Sequence, residues 1–155
     1  MLGSLCMSVV FATPEDRELP LDITADWSEF NNTTSTGIYR GNVVMNQGNL
    51  TIHADEATFQ LVEGELDYII ATGAPVKIED LPQLNDPWVY GEGLKLSYYP
   101  KKEVLILETE AQVEQKQDIV NANKIIYNLT TRTVNAERGD NERVHFTIKM
   151  DSQNK

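Results

Sequence analysis

Residues Leu50–Phe59 read LTIHADEATF, and the order of apolar and polar letters in this stretch decides the fold. Leu50, Ile52 and Ala54 share one parity, whereas Ala57 and Phe59 share the other. Alternation with period two marks a strand with one face buried. A one-residue change of parity would turn every later side chain to the opposite face unless an extra residue is accommodated. The stretch therefore predicts a strand that bulges or bends sharply near Ala54, where a small side chain lets the backbone turn.

Three sister segments carry the same signal. ADWSEF (Ala25–Phe30), GLKLSY (Gly93–Tyr98) and ANKIIY (Ala122–Tyr127) each begin with a small residue and reach an aromatic five positions later, as ADEATF (Ala54–Phe59) does. Bends are expected near Ala25, Gly93 and Ala122 as well. A small-x-Val element recurs between these segments, at Gly41-x-Val43, Ala74-x-Val76 and Ala111-x-Val113. Repetition of this kind points to one supersecondary unit used several times, here a strand, a corner and a return hairpin. Elsewhere Leu105, Leu107, Thr109, Ala111 and Val113 alternate with Ile106, Glu108, Glu110, Gln112 and Glu114, and Val144, Phe146, Ile148 and Met150 with His145, Thr147 and Lys149. Turn chemistry at Asn31–Gly37, Asn46–Asn49, Val62–Glu65 and Tyr99–Glu103 separates the strands. No segment has a helical apolar face, and the chain reads as all-β.

Length and charge narrow the functions. The 155 residues make one domain with enough apolar content (41%) to bury a single core. A formal charge of −11, with no basic cluster longer than Lys101-Lys102, repels phosphate backbones and disfavours nucleic acid and anionic bilayers as partners. The run Met1–Ala12 is too short to span a bilayer, which needs about 20 residues. It reads as the apolar region of a secretory signal, with Val10 and Ala12 as small residues before a cleavage site. No Lys or Arg precedes it, and the positive region of such a signal would lie upstream. Cys6 sits inside that run after Leu5, outside a lipoprotein context, and no other cysteine follows. The expected organisation is a signal over 1–12, a single β domain over 13–150 and a flexible tail over 151–155.

Candidate chemistry is sparse. His53, Asp55 and Glu56 crowd together, but tetrahedral zinc wants three or four converging ligands and only one His is at hand. Parity places His53 and Asp55 opposite the Ile52/Ala54 face, towards water. His145 alternates with Val144 and Phe146 and reads as an exposed strand residue. Glu108, Glu110 and Glu114 fall at even spacing on one strand and describe a solvated face. No Ser stands in a Gly-x-Ser-x-Gly elbow, and no phosphate-binding Gly-rich loop occurs. No catalytic residue, metal or cofactor is expected.

LPLDITADWSEF, GIYRGNVVMNQGNLTIHADEATF, ATGAPV and VNANKIIYNLTTRTVNAE resemble the OstA-like repeats of the LptA family, the bacterial periplasmic proteins of lipopolysaccharide transport. The most specific part runs from Tyr39 to Gly48 and from Ile52 to Asp55, with Met45 in place of the pattern's second Val; the whole resemblance covers roughly Leu19 to Ile148. It implies a twisted, open β-jellyroll whose two antiparallel sheets enclose a hydrophobic groove for the acyl chains of lipid A. It also implies end-to-end self-association through terminal strands, and partners among LptC-like and LptD-like proteins carrying the same domain. The function implied is a non-enzymatic periplasmic bridge that moves lipopolysaccharide from inner to outer membrane. Mapped onto the inward parity of each unit, the groove residues would be Leu21, Ile23, Val43, Ile52, Phe59, Val76, Ile78, Leu96, Tyr98, Leu107, Val113, Ile125 and Tyr127. Two other functions compete: a scaffold that docks partners by strand addition without holding lipid, and a polysaccharide-active jellyroll. The last needs a carboxylate pair in a cleft with exposed aromatics, for which Trp27 and Trp88 are a thin platform.

Overall fold

The computed structural model describes residues 19–81 and 84–150. The expected signal segment, most of what precedes the first strand, and the expected tail lie outside them. Ten antiparallel strands follow in chain order: β1 (Asp22–Thr24), β2 (Trp27–Asn31), β3 (Thr36–Gln47), β4 (Leu50–Val62), β5 (Glu65–Asp80), β6 (Val89–Tyr99), β7 (Val104–Gln115), β8 (Asp118–Asn128), β9 (Val134–Glu137) and β10 (His145–Thr147). The four turn segments read from sequence separate β2 from β3, β3 from β4, β4 from β5 and β6 from β7. Strands β3 to β8 form a meander, each paired with the next. At one end β1 and β2 share the outer edge of β3; at the other, β10 and β9 share the outer edge of β8.

Every long pair changes register at one level: between Arg40 and Val43, His53 and Glu56, Thr72 and Val76, Glu92 and Lys95, and Glu108 and Ala111. These breaks fall at the expected small residues, but the surplus residues are on the partner strands. Gly41 and Asn42 of β3 oppose Asp55, Gly73–Pro75 of β5 oppose Leu94, and Thr109 and Glu110 of β7 oppose Asn123. Gly41, Asn42, Thr109 and Glu110 all take positive φ. Strands β4, β6 and β8 run on through Ala54, Gly93 and Ala122 and cross the bend in three residues, from Ala54 to Ala57, Gly93 to Leu96 and Ala122 to Ile125. Their neighbours take a longer path around the same corner, and that difference is what bends a sheet at a bulge. At Ala25 the chain breaks instead, between β1 and β2, where the Asp26 N–H donates to the Gly41 carbonyl at 2.9 Å.

One hydrogen-bonded sheet is thereby folded along a line of small residues into two layers, in place of two separate sheets. Pairings chain into rows that cross all strands of a layer. In the first layer Ile23, Met45, Ile52, Ile78, Gly91, Val113, Val120 and Phe146 form one inward row. In the second, Phe30, Gly37, Phe59, Ile69, Tyr98, Leu105, Tyr127 and Val134 form another. The layers meet face to face. A Cβ added at Gly91 would stand 2.7 Å from Ile78 Cγ1 of its own layer and 3.0 Å from Leu107 Cδ1 of the other. Met45, Ile52, Ile69, Leu96, Leu105 and Ile125 have essentially no solvent contact, each contributing about 1.5–3 kcal/mol through burial.

Candidate functional site

The interior is packed along its middle and opens at the β1/β2 end. There a cleft of about 340 Å³ lies between β1 and the second layer, lined by Leu21, Ile23, Tyr39, Phe59, Leu61, Gly64 and Leu66. It arises because β1 is only three residues long and belongs to the first layer, whereas the chain crosses the corner at Ala25–Asp26 to begin β2 in the second. Phe59 stands at the centre of the aromatic wall: its ring stacks on Phe30 at 5.9 Å and on Tyr39 at 5.7 Å between centroids. The ring also lies flat over Gly37, where a Cβ would fall 2.0 Å from Phe59 Cε1. Glycine at 37 is therefore what allows Phe59 to face the cleft. The volume lies within the range of small-molecule sites, roughly 300–1,000 Å³, and the wall offers hydrocarbon and aromatic surface with the Tyr39 hydroxyl as its polar side-chain group.

The thirteen residues of the expected groove divide into two sets. Leu21, Ile23 and Phe59 line the cleft. Val43, Ile52, Val76, Ile78, Leu96, Tyr98, Leu107, Val113, Ile125 and Tyr127 are inward, as their parity requires, and all are buried in the closed core. Four cleft contributors escaped the sequence reading: Tyr39, Leu61, Gly64 and Leu66. Tyr39 has the parity of Val43 and could have been placed from Gly41-x-Val43; Leu61 and Leu66 flank the Val62–Glu65 turn, where alternation stops being informative.

The polar candidates lie elsewhere. His53, Asp55 and His145 are exposed, and among the described residues no three His, Cys, Asp or Glu side chains converge as a metal site would need. Glu56 is half-buried and pairs with Arg40 at 3.0 Å, and Arg40 lies 5.0 Å over the Trp27 ring. These residues belong to an outward row beside the corner, Trp27, Arg40, Glu56, Thr72, Lys95, Glu108, Lys124 and Glu137, in which Lys95 also meets Glu108 at 3.6 Å. Glu56 thus answers to the charge of its cross-strand neighbour, and not to His53.

An apolar cleft at the mouth of a bent antiparallel sheet with open edges is a combination that comparison with known proteins can place. Residues 22–133 match the family described as LptA/(LptD N-terminal domain) LPS transport protein. The chain belongs to this family. Among its relatives is the lipopolysaccharide export system protein LptH of Pseudomonas aeruginosa, 28% identical over 145 residues that cover 93% of this chain and 83% of LptH. Another is LptA of Haemophilus influenzae, 26% identical over 152 residues, 96% of this chain and 87% of that protein. LptA of Escherichia coli K12 is 25% identical over 145 residues, 92% and 77% of the two chains. The crystal structure of Pseudomonas aeruginosa LptH, described as the LptA-homologous periplasmic component of the lipopolysaccharide transport device, superposes with a TM-score of 0.84 at 25% identity, covering 88% of this chain and all of that one. The open, jellyroll-like sheet of the LptA family is therefore the fold of this chain too.

Proposed function

We propose that this LptA-family chain is a non-enzymatic periplasmic carrier that receives acyl chains of lipopolysaccharide in the cleft between its layers and passes them along an end-to-end assembly. The cleft carries the reading, because its lining side chains are mainly apolar, it is open to solvent, and two of those side chains, Ile23 and Phe59, belong to the inward rows of the two layers. Each methylene it takes from water contributes about 0.8 kcal/mol. The charge of −11 points the same way: phosphorylated sugars gain nothing from such a surface, so affinity has to come from hydrocarbon. Relatives named for lipopolysaccharide export, one of them described as periplasmic, support both substrate and compartment.

Assembly is supported by the two ends. The row that starts at Ile23 in β1 finishes at Phe146 in β10, and the row that starts at Phe30 in β2 finishes at Val134 in β9. Continuing the antiparallel ladder into a second copy puts Phe146 beside Ile23 of the next copy, Ile148 beside its Leu21, and Val134 beside its Phe30. Phe146, Ile148, Val134 and Phe30 are all exposed in the single chain, and the stack would cover them. Main-chain pairing of open edges supplies the remaining affinity, and LptC-like or LptD-like proteins with the same domain would use the same edges.

A photo-crosslinking residue at Ile23 or Phe59 tests the lipid reading: lipopolysaccharide adducts are expected there and not at His53. Adducts at His53 with none at Ile23 would refute it. The packed middle of the core favours a second reading, a scaffold that docks partners by strand addition and holds no lipid, for which no position would crosslink while edge-mediated complexes persist.

A further inference from the structure

Gln47 and the Tyr98 hydroxyl are polar groups set among buried hydrocarbon, as Asp80 and the Tyr127 hydroxyl are elsewhere in the core. Gln47 ends β3 in the first layer and is 6% exposed; Tyr98 lies on β6 in the second layer and is fully buried. The Tyr98 hydroxyl donates to Gln47 Oε1 at 2.8 Å, so this bond crosses from one layer to the other. The other end of the same amide, Nε2, donates to the Leu19 carbonyl at 2.9 Å. Leu19 leads into β1, and Leu21, a wall of the cleft, lies one step beyond the Asp22–Asn46 pair, opposite Gln47. One side chain therefore ties the segment that leads into the cleft wall to the opposite layer.

We propose that Gln47 is a clamp that sets how far an acyl chain can enter from the cleft; the inference rests on the acyl-chain reading above. A hydrocarbon chain offers neither donor nor acceptor. Sliding it between the layers breaks the Gln47–Tyr98 bond and offers nothing in exchange at a buried hydroxyl and amide oxygen, which costs more than a net hydrogen bond gives. Replacing both partners by apolar groups of similar shape removes that penalty, at the separate expense of the donor to the Leu19 carbonyl. The bond between amide and hydroxyl, which spans the two layers, keeps Met45, Ile52 and Leu96 closed against a chain that has reached Leu21 and Phe59. Gln47 acts here as a positioning residue for the lipid.

The test uses palmitate carrying a nitroxide at its methyl end, with the full chain and two variants, Gln47→Leu/Tyr98→Phe and the milder Tyr98→Phe. Binding is measured by titration, and depth by shielding of the nitroxide from a water-soluble relaxing agent. The double variant is expected to bind about tenfold more tightly than the wild type with the nitroxide shielded, and Tyr98→Phe, which loses a single oxygen and keeps the ring packing, to shift the same way by about threefold. Wild-type binding with unchanged affinity and depth in both variants would overturn the clamp and leave the cleft reading standing. Absence of binding by any of the three proteins would overturn the cleft reading and the clamp together.

Discussion

Adding one methyl group at Gly91 tests whether the two layers close on each other as described. The new Cβ would stand 2.7 Å from Ile78 Cγ1, 2.8 Å from Ile78 Cδ1 and 3.0 Å from Leu107 Cδ1. Ile78 and Leu107 are each only 1% exposed, so a shift of either side chain disturbs a buried contact. Overpacking of this kind costs about 1–3 kcal/mol. Alanine also restricts the unfolded chain relative to glycine, which offsets about 0.4–1 kcal/mol. The net expectation for Gly91→Ala is a loss of about 1–2 kcal/mol, or about 2–8 °C in Tm for a chain of this size. One of the three close atoms is Ile78 Cδ1, which valine lacks, so Ile78→Val should restore part of the loss in the double variant. Ile78→Val alone costs about 0.5–1.5 kcal/mol. Urea unfolding of the wild type, both single variants and the double variant gives the coupling energy. A neutral or stabilising Gly91→Ala, or strictly additive behaviour in the cycle, would mean that the layers do not meet at Gly91.

Phe59→Ala should lower stability by about 2–4 kcal/mol, through lost burial and the loss of two ring stacks, and should abolish nitroxide-palmitate binding. Binding at wild-type affinity would remove Phe59 from the site. Phe146→Asp/Ile148→Asp should leave the unfolding midpoint nearly unchanged, because both side chains are already exposed, yet reduce concentration-dependent association in sedimentation velocity; unchanged oligomers would exclude β10 from the contact. The Arg40 and Glu56 side chains are each about half exposed, so a double-mutant cycle should return about 0–1 kcal/mol, shrinking with added salt; a larger, salt-insensitive coupling would make the row structural.

Much of the fold was legible because burial parity survives in the letters. Leu50, Ile52, Ala54 against Ala57, Phe59 announces a corner, and the three sister segments announce that the corner repeats. Which strand of a pair carries the surplus residue is not written there. Three residues from Ala54 to Ala57 on β4 are only one half of a comparison whose other half is Gly41–Asn42 on β3. The site was harder to read. Leu21 and Leu96 share an inward face, and only their distance from the open end makes one cleft wall and the other sealed core. Val144–Met150 shows the reverse case: alternation in a segment exposed on both parities, so its apolar letters face water in the single chain. Gln47 carried no signal at all, since a glutamine before a Gly-Asn turn is ordinary turn chemistry.

The unbroken rows have a geometric consequence. Eight strands lie side by side from β1 to β10, and neighbouring strands are about 4.8 Å apart, so one copy advances a stack by about 38 Å. Neighbouring strands are also rotated by about 20–25°, which accumulates to about half a turn per copy. In an assembly that kept the ladder continuous, successive clefts would open on alternating sides while the interior between the layers ran straight through. Such a filament would act as a screw whose thread is its own apolar seam, and lipid travelling inside it would be carried around the axis as it moved along.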